Sequence, residues 1–567
     1  MMATAAEEIC QSSPSSENNV PTLSFKITRK NQDRPWKLRF IYLQCYFISI
    51  ATILGTGILG LPVTVAHAGL LPFLVSFIIG FFIQGLLIYL FVDLLQRCRV
   101  AQMEPLTWSE TERILMQDVR MEGPAVTNTE VELELEEEEE ESEEPDRGLL
   151  QREVSVESED RGPEPNLHDL GVLFLNKYMS HAFNFILLFQ FVSIGISYVL
   201  AGSEAYADLL HMSHIYVIPT FTWVLSLGIL LAQVVIQPIT SLLTLLKGTL
   251  LIVTVAVTFV VGSEVHQEMT NDFSQIGKPF LMGTVALGGI VNVMPFLFSE
   301  ISHNKIQILW FRRVILGGLL TCTVLNILWC WAVLEIVPQM SVQKVLEDGV
   351  WNKSQAYPSA YTLVYSNISL EESEIAGEIA TIPLTKIINQ KHSRFSWVAE
   401  LIQVFIAISI TVSFLVMGSA MKHTIDGLVN ARWDALSKGC EKSLPPFLHG
   451  CITRRLANGL MSLLAFGLIF IVAACDPKGF VVMLDKVVSF SLNTEVGLFI
   501  FIMLRTSRSE RFKHLSVPLP VCEKIFQLHW ILPLYFLFAV GYDVFTSLTE
   551  VAESWIQTQS HYTPPPH

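Results

Sequence analysis

The chain has 567 residues, 51% of them apolar and 16% charged, with a mean hydropathy of +0.46. That balance excludes an ordinary soluble globular protein. The net charge of −16 also excludes a nucleic-acid binder, because a phosphate backbone calls for the opposite sign.

Residues 1–40 are polar and hold no short apolar core with a cleavage site, so they are expected to form a largely disordered cytosolic tail. The first apolar run then serves as its own insertion signal. Runs long enough to cross about 30 Å of hydrocarbon predict eleven spans, over 42–68, 71–95, 181–201, 215–236, 240–262, 280–301, 312–336, 397–420, 456–474, 481–504 and 528–549. Most Lys and Arg residues fall on the N-terminal side of these spans, which orients that side to the cytosol. The tail 550–567, without Lys or Arg, is then outside.

The first span contains "ILGTGILGLPVTVAHAG", Ile53 to Gly69. Gly55, Gly57, Gly60 and Pro62 would weaken an α-helix by several kcal/mol, and a freed backbone group in a bilayer needs a partner other than water. Between the second and third spans lies an insertion over 97–167. Its segment Glu130–Asp146 holds twelve acidic residues, without which the net charge would be −4. Such a block repels itself and stays disordered, either as a solvated insertion or as a docking site for a cytosolic protein partner. Glu110-Thr111-Glu112-Arg113-Ile114-Leu115 resembles an acidic dileucine-type sorting signal, and the plasma membrane and the endolysosomal membrane both fit. Membrane regions over 41–96, 168–336 and 397–549 flank this insertion and the loop 337–396.

The sixth span repeats the pattern of the first. In "LGGIVNVMPFLFSEI", Leu287 to Ile301, Gly288 and Pro295 are seven residues apart, as are Gly55 and Pro62. In transporters built of two inverted repeats, corresponding helices are interrupted at the bilayer midplane. The matched pair therefore predicts unwound turns in spans 1 and 6 that share a binding cavity, with substrate held between Thr56–Gly57 and Gly289–Asn292. Exposed N–H groups and half-helix N-termini suit a carboxylate, and exposed carbonyls suit an ammonium. A small zwitterion uses both.

Further on, the loop 337–396 carries two sequons, Asn352-Lys353-Ser354 and Asn367-Ile368-Ser369, both on the expected outer side. In the eighth span Ser409 and Ser413 share a helix face, whereas Thr411 lies on another. Glu495, deep in the tenth span, is either a proton carrier or the structural partner of a Lys or of bound water. Asp485 and Lys486 are expected to snorkel, Asp543 to be structural, and Glu300 to be a gate residue that pairs with Arg312 or Arg313; His67 is either a titratable group at an outer gate or bonded to a loop carbonyl. Nine cysteines show no zinc spacing and no outer pair. No phosphate loop, nucleophile elbow or metal-ligand cluster is present, so no enzyme, cofactor or resident metal is expected.

"GTGILGLPVTVAHAG" resembles the first-helix signature of the amino acid/auxin permease family, part of the APC superfamily, in Gly55, Gly57 to Pro62 and Ala68-Gly69. Leu170–Leu210, Val291–Ile301 and Ala474–Phe490 resemble its third helix, its sixth helix and its turn between helices nine and ten. The likeness runs from about Trp36 to Glu550, apart from the acidic insertion and the middle of the large loop. Ile53 and Leu54 stand where many members carry Asn, and "YLQCYFISIATIL" lacks the His of some proton-coupled members. The resemblance implies an all-α, eleven-helix fold with a LeuT-like 5+5 inverted repeat and broken helices 1 and 6. It implies alternating-access transport of amino acids or related small amines, driven by H+ or Na+. For a sodium-driven member it places Na+ between the hydroxyls of the eighth span, here Ser409, Thr411 and Ser413, and carbonyls of the first. The alternative is an amino-acid sensor or scaffold of the same fold that signals through its cytosolic segments.

Overall fold

The computed structural model describes residues 35–121, 165–231, 233–265, 267, 269–346, 361–391, 393–439, 451–475 and 483–562. The tail 1–34, the acidic run Glu130–Asp146 and Asn352 lie outside these residues. Residues up to Phe40 form a separate unit, whose described part is the start of the first helix; the rest of the chain, from Ile41, is the unit that carries the fold.

Among the described residues, eleven helices are long and apolar enough to cross a membrane: Leu38–Thr64, Leu70–Met103, Lys177–Leu210, His214–Leu231, Ile239–Val265, Gly277–Ser299, Lys305–Leu334, Ser396–Trp433, Arg454–Cys475, Lys486–Thr506 and Glu523–Glu553. Each overlaps one predicted span, and they are called spans 1 to 11 below. The helix that contains span 2 runs on to Met121, so the insertion expected to be disordered from 97 begins as helix. Its sequence there is rich in Glu, Gln, Arg, Leu and Met, all good helix formers.

Burial ranks the spans. Span 1 is 94% buried over its most apolar stretch and span 6 is 83% buried, against 22% for spans 9 and 11. The two glycine-containing helices are thus the centre of the bundle, while spans 9 and 11 turn large apolar side chains such as Leu464, Ile471, Phe538 and Phe545 outward. Span 8 packs on spans 3 and 5, span 2 on spans 6 and 7, and span 10 on spans 3, 6 and 11.

The loop between spans 7 and 8 adds the chain's described strands, an antiparallel ribbon of Val342–Leu346 and Tyr361–Tyr365. Two short helices follow, Leu370–Ala376 and Thr381–Lys391. The first is capped by the Ser369 hydroxyl, which accepts from Glu372 N at 3.1 Å, and it ends at Gly377, whose φ of +69° suits glycine. Asn367 of the second sequon is exposed beside this cap.

The expected break in span 1 is not there. The helix is continuous from Pro35 to Thr64, through Gly55, Gly57 and Gly60 and with Pro62 inside it. Pro62 has no N–H for the carbonyl of Ile58, four residues back. Trp329 of span 7 supplies the missing donor, its indole Nε1 giving a 2.8 Å hydrogen bond to Ile58 O. With that carbonyl met, nothing forces the helix to unwind. The glycines serve contact instead. A Cβ on Gly55 would collide with the side chains of Ser413 and Tyr198, and one on Gly57 would stand 2.7 Å from Asn326 Oδ1.

In span 6 the interruption is a single residue. Helix Gly277–Gly288 stops and helix Ile290–Ser299 starts around Gly289, whose φ of −55° and ψ of −18° are still right-handed helical. This is a one-residue interruption, not the unwound turn expected. Span 10 carries a second irregularity, with π-helical turns at Met483–Val488 and Glu495–Ile500.

If the indole is what keeps span 1 whole, Trp329→Phe leaves Ile58 O unmet and costs about 1–3 kcal/mol, read as a lower thermal midpoint of the purified protein. Adding Pro62→Ala to that variant restores an N–H to the same carbonyl and recovers most of the loss. Two independent, additive losses would refute the account.

Candidate functional site

Of the four residues expected to hold a substrate, Gly57, Gly289 and Asn292 have described surroundings. Gly289 faces span 1 at Thr52, whose Cγ2 would lie 3.7 Å from an added Cβ. Gly57 faces Asn326 of span 7. Asn292, about one turn past Gly289, meets Glu495 of span 10 and Gln190 of span 3. The side chain of Thr56 lies outside the described residues, although its backbone is part of the continuous helix.

Asn326 was not foreseen. It is fully buried, and among the described residues neither its Oδ1 nor its Nδ2 has a hydrogen-bond partner. A buried amide left unpaired costs about 1–3 kcal/mol, and a binding site is one setting in which such a cost persists.

Where the resemblance places sodium, the structure places a lysine. Lys247 of span 5 is fully buried, and its Nζ donates to Ala51 O of span 1 at 3.1 Å, to Ser413 Oγ at 3.0 Å and to Ser409 O at 3.4 Å. An ammonium has three N–H bonds, and these are three acceptors. The one O–H of Ser413 has two carbonyls in reach, Ala51 O at 3.1 Å and Ser409 O at 2.9 Å. The oxygens drawn from spans 1 and 8 thus already surround a cation, one that the chain itself supplies. Thr411 is elsewhere, with its hydroxyl 3.0 Å from Tyr206 OH and bonded to Ala407 O of its own helix. The rule that an ionisable residue within a span is functional by default could have found Lys247 in "TLLKGTLL".

Glu495 is the counterpart of opposite sign, fully buried in span 10 at the start of a π-helical turn. With the Asn292 amide assigned from its neighbours, its Nδ2 donates to both carboxyl oxygens, at 3.1 and 3.2 Å, and its Oδ1 accepts from Gln190 Nε2 at 2.8 Å. Gln190, from span 3, is also fully buried and its Oε1 has no partner. Among the described residues no Lys stands beside Glu495; two amides do. Nearer the loop end of span 10, Asn493 donates to Thr284 Oγ1 at 3.0 Å and Ser489 Oγ at 3.2 Å, and Ser489 in turn faces Asp543 of span 11.

Both ends of this core are closed by polar contacts. On the face that carries the 337–396 loop, Glu374 lies 2.6 Å from Lys278 Nζ at the start of span 6 and 3.7 Å from His67 Nε2 after span 1. Gln339 donates to Ala66 O at 3.2 Å and accepts from Thr270 N at 2.7 Å, and Ala380 N reaches Leu59 O at 3.3 Å. His67 therefore stands at a closure, with Glu374 as its unforeseen partner. A cleft between the helix Thr381–Lys391 and spans 3 and 8 is lined by Asp208, Thr381, Thr385 and Gln403.

On the N-terminal face, Arg99 of span 2 donates to Ile301 O at 2.6 Å, and Asp93 accepts from Arg97 at 3.1 Å and from Arg508 at 3.3 Å. Glu300 ends span 6 close to Cys45 of span 1. Its expected partners are stacked on rings, Arg312 3.9 Å from the centre of Tyr89 and Arg313 5.5 Å from that of Trp310. In the adjoining turn, burial first and Arg99 second push the His303 imidazole down to about 4.

The reading of Lys247 as a tethered cation has a direct check. Lys247→Ala removes three charge-assisted hydrogen bonds, each worth about 1.5–3 kcal/mol, and lowers the thermal midpoint. Sodium or lithium, but not choline, then raises the midpoint of the variant and leaves the wild type unmoved; at a hundred times its Kd the ion returns about 2.7 kcal/mol. A variant indifferent to the ion would show that these oxygens do not form a cation site.

No protein-family model matches the sequence, and no curated protein matches it. Solved structures do resemble the fold. One point mutant of the Eremococcus coleocola manganese transporter aligns with a TM-score of 0.50 at 11% identity, over 92% of this chain and 90% of that one. A second point mutant of the same transporter aligns at 0.49, also at 11% identity and over 92% and 90%. At this identity the likeness concerns architecture alone. The chain is an integral, multi-pass, all-α membrane protein with the fold of a membrane transporter.

Proposed function

We propose that the protein is a secondary active transporter, not an enzyme, that moves an amino acid or a related small amine by alternating access and is coupled to protons or sodium. Its N-terminus is cytosolic, and it works in the plasma membrane or an endolysosomal membrane. The observation that carries the reading is Asn326, a fully buried amide with an unused donor and an unused acceptor, set against Gly57 in the glycine-rich stretch of span 1. One donor and one acceptor suit the two ends of a zwitterion. The sequence signature from Gly55 to Pro62 points to the same class, that of the amino acid/auxin permeases.

Manganese, the cargo named for the structural neighbours, is not carried over. The groups that meet span 1 at Ala51, Gly55 and Gly57 are an amide, hydroxyls and the Lys247 ammonium, and an ammonium repels a divalent cation. The same ammonium disfavours sodium between spans 1 and 8.

Counterflow tests the reading. Purified protein in liposomes preloaded with unlabelled amino acids exchanges external labelled ones, and Asn326→Leu lowers that exchange at least about tenfold, equivalent to about 1.4 kcal/mol of binding. Because leucine removes two unpaired polar atoms at similar volume, the variant is expected to be as thermally stable as the wild type or more so. A stable variant with undiminished exchange would remove Asn326 from the site. No exchange by folded wild-type protein would sink the transporter reading.

A further inference from the structure

The cluster of Glu495, Asn292 and Gln190 draws one residue from each of spans 10, 6 and 3. A carboxylate buried in hydrocarbon must be compensated by a proton, a cation or hydrogen-bond donors. Among the described residues no charge stands beside this one. Of the titratable groups on the surrounding spans, Tyr198 is turned to Ser413, Asp543 to Ser489 and Lys486, and Lys278 to Glu374, while Tyr535 lies against Gly80. What faces Glu495 is the Asn292 NH2 group, which bridges both of its oxygens, and the Gln190 amide.

That arrangement is a donor set for an anion with one acceptor left vacant, Gln190 Oε1. Two forms of the cluster are therefore chemically complete. In one, the carboxylate accepts two hydrogen bonds from Asn292. In the other, a proton on Glu495 turns one oxygen into a donor, Gln190 Oε1 can accept it once that amide turns over, and the bidentate hold on Asn292 is lost. Geometry couples the choice to movement. Asn292 lies three residues past Gly289, the interruption of span 6, and so belongs to the half of that span that can swing about it. Glu495 opens a π-helical turn, an irregularity found often at functional sites.

We propose that Glu495 carries the coupling proton, and that taking it up releases Asn292 and frees the second half of span 6 to pivot at Gly289. This rests on the transporter reading and names its coupling ion. The proton comes from water on one side of the membrane, is held on a carboxyl oxygen and leaves to water on the other side; no other bond forms or breaks. Asn292 and Gln190 are positioning residues for this step.

Two measurements on the full-length protein in liposomes test it, with a defined mixture of labelled amino acids as the transport probe. The first is the ratio of uptake under an inward gradient of one pH unit to uptake by counterflow. One proton per substrate allows up to about tenfold accumulation per pH unit. The wild type is expected to show a clear gradient stimulation, and Glu495→Gln a ratio close to one. Stimulation that survives in Glu495→Gln overturns the proposal.

The second measurement is infrared difference spectroscopy against pH, which needs no substrate. The wild type is expected to show a titrating protonated-carboxyl C=O band that Glu495→Gln lacks, and Asn292→Ala is expected to move its midpoint upward by removing the donors that hold the anion. The same band in wild type and Glu495→Gln overturns the assignment, even where the variant has lost all transport. If wild-type protein shows the band but exchanges no amino acid, the transporter reading fails while the proton site stands.

Discussion

Every backbone carbonyl inside the bundle has to be met from within it, and the centre of this protein is organised by that requirement. Pro62 frees one carbonyl in the most buried span, and Trp329 of span 7 meets it. Ala51 O, already inside the helix, accepts further bonds from Lys247 and Ser413. Gly55 lets Ser413 approach and Gly57 lets Asn326 do so, since any side chain there would occupy their space. Glycine, proline, indole and ammonium form one arrangement in which span 1 keeps its helix by borrowing donors from spans 5, 7 and 8. Propensity would break this helix by several kcal/mol, but tertiary donors in a medium without water outweigh it.

The same medium explains why the two buried charges are handled so differently. Lys247 is fully satisfied, with three N–H bonds and three acceptors and no vacant position. The Glu495 cluster holds an anion's donors but keeps an unused acceptor in Gln190. A satisfied charge is a fixed part of the scaffold, whereas a cluster with two complete hydrogen-bond states can change. Span 3 links them. It brings Tyr198 to Gly55 and Ser413 and, eight residues earlier, Gln190 to Asn292, about 12 Å apart along one helix.

Much of the architecture was legible in the sequence, because apolar length is a one-dimensional property: all eleven spans could be read from it, and the contrast between the 52-residue helix around span 2 and its predicted end at 95 reflects only the polar continuation that hydropathy ignores. The state of span 1 was not legible. Its outcome turns on a tryptophan 271 positions away from Ile58, and no local pattern reports such a contact. The second break was read at the right residue, Gly289, but a one-residue interruption and an unwound turn share the same glycines. At the site, Asn292, Glu495, Ser409, Ser413 and His67 were singled out and each has a specific neighbour. Lys247, Gln190 and Glu374, which meet them, and the unpaired Asn326 were not legible, because each comes to its place only through contacts between distant elements.

Span 6 is the element on which both closures bear. Its first residues are held on the loop face through Lys278 and Glu374, and its last are held on the other face through Arg99 and Ile301 O. Between them lies Gly289, where the helix is interrupted without strain, its dihedrals staying in the right-handed region. An interruption of this sort lets the two halves move separately. The loop-face ion pair involves side chains that are partly exposed, and such pairs contribute about 0–1 kcal/mol. Its release costs little compared with unpacking a buried helix. In the proposed carrier, therefore, opening on one face need not disturb the other, and the buried Asn292, which sits just past the interruption and on no external contact, is placed to decide which half of span 6 is held.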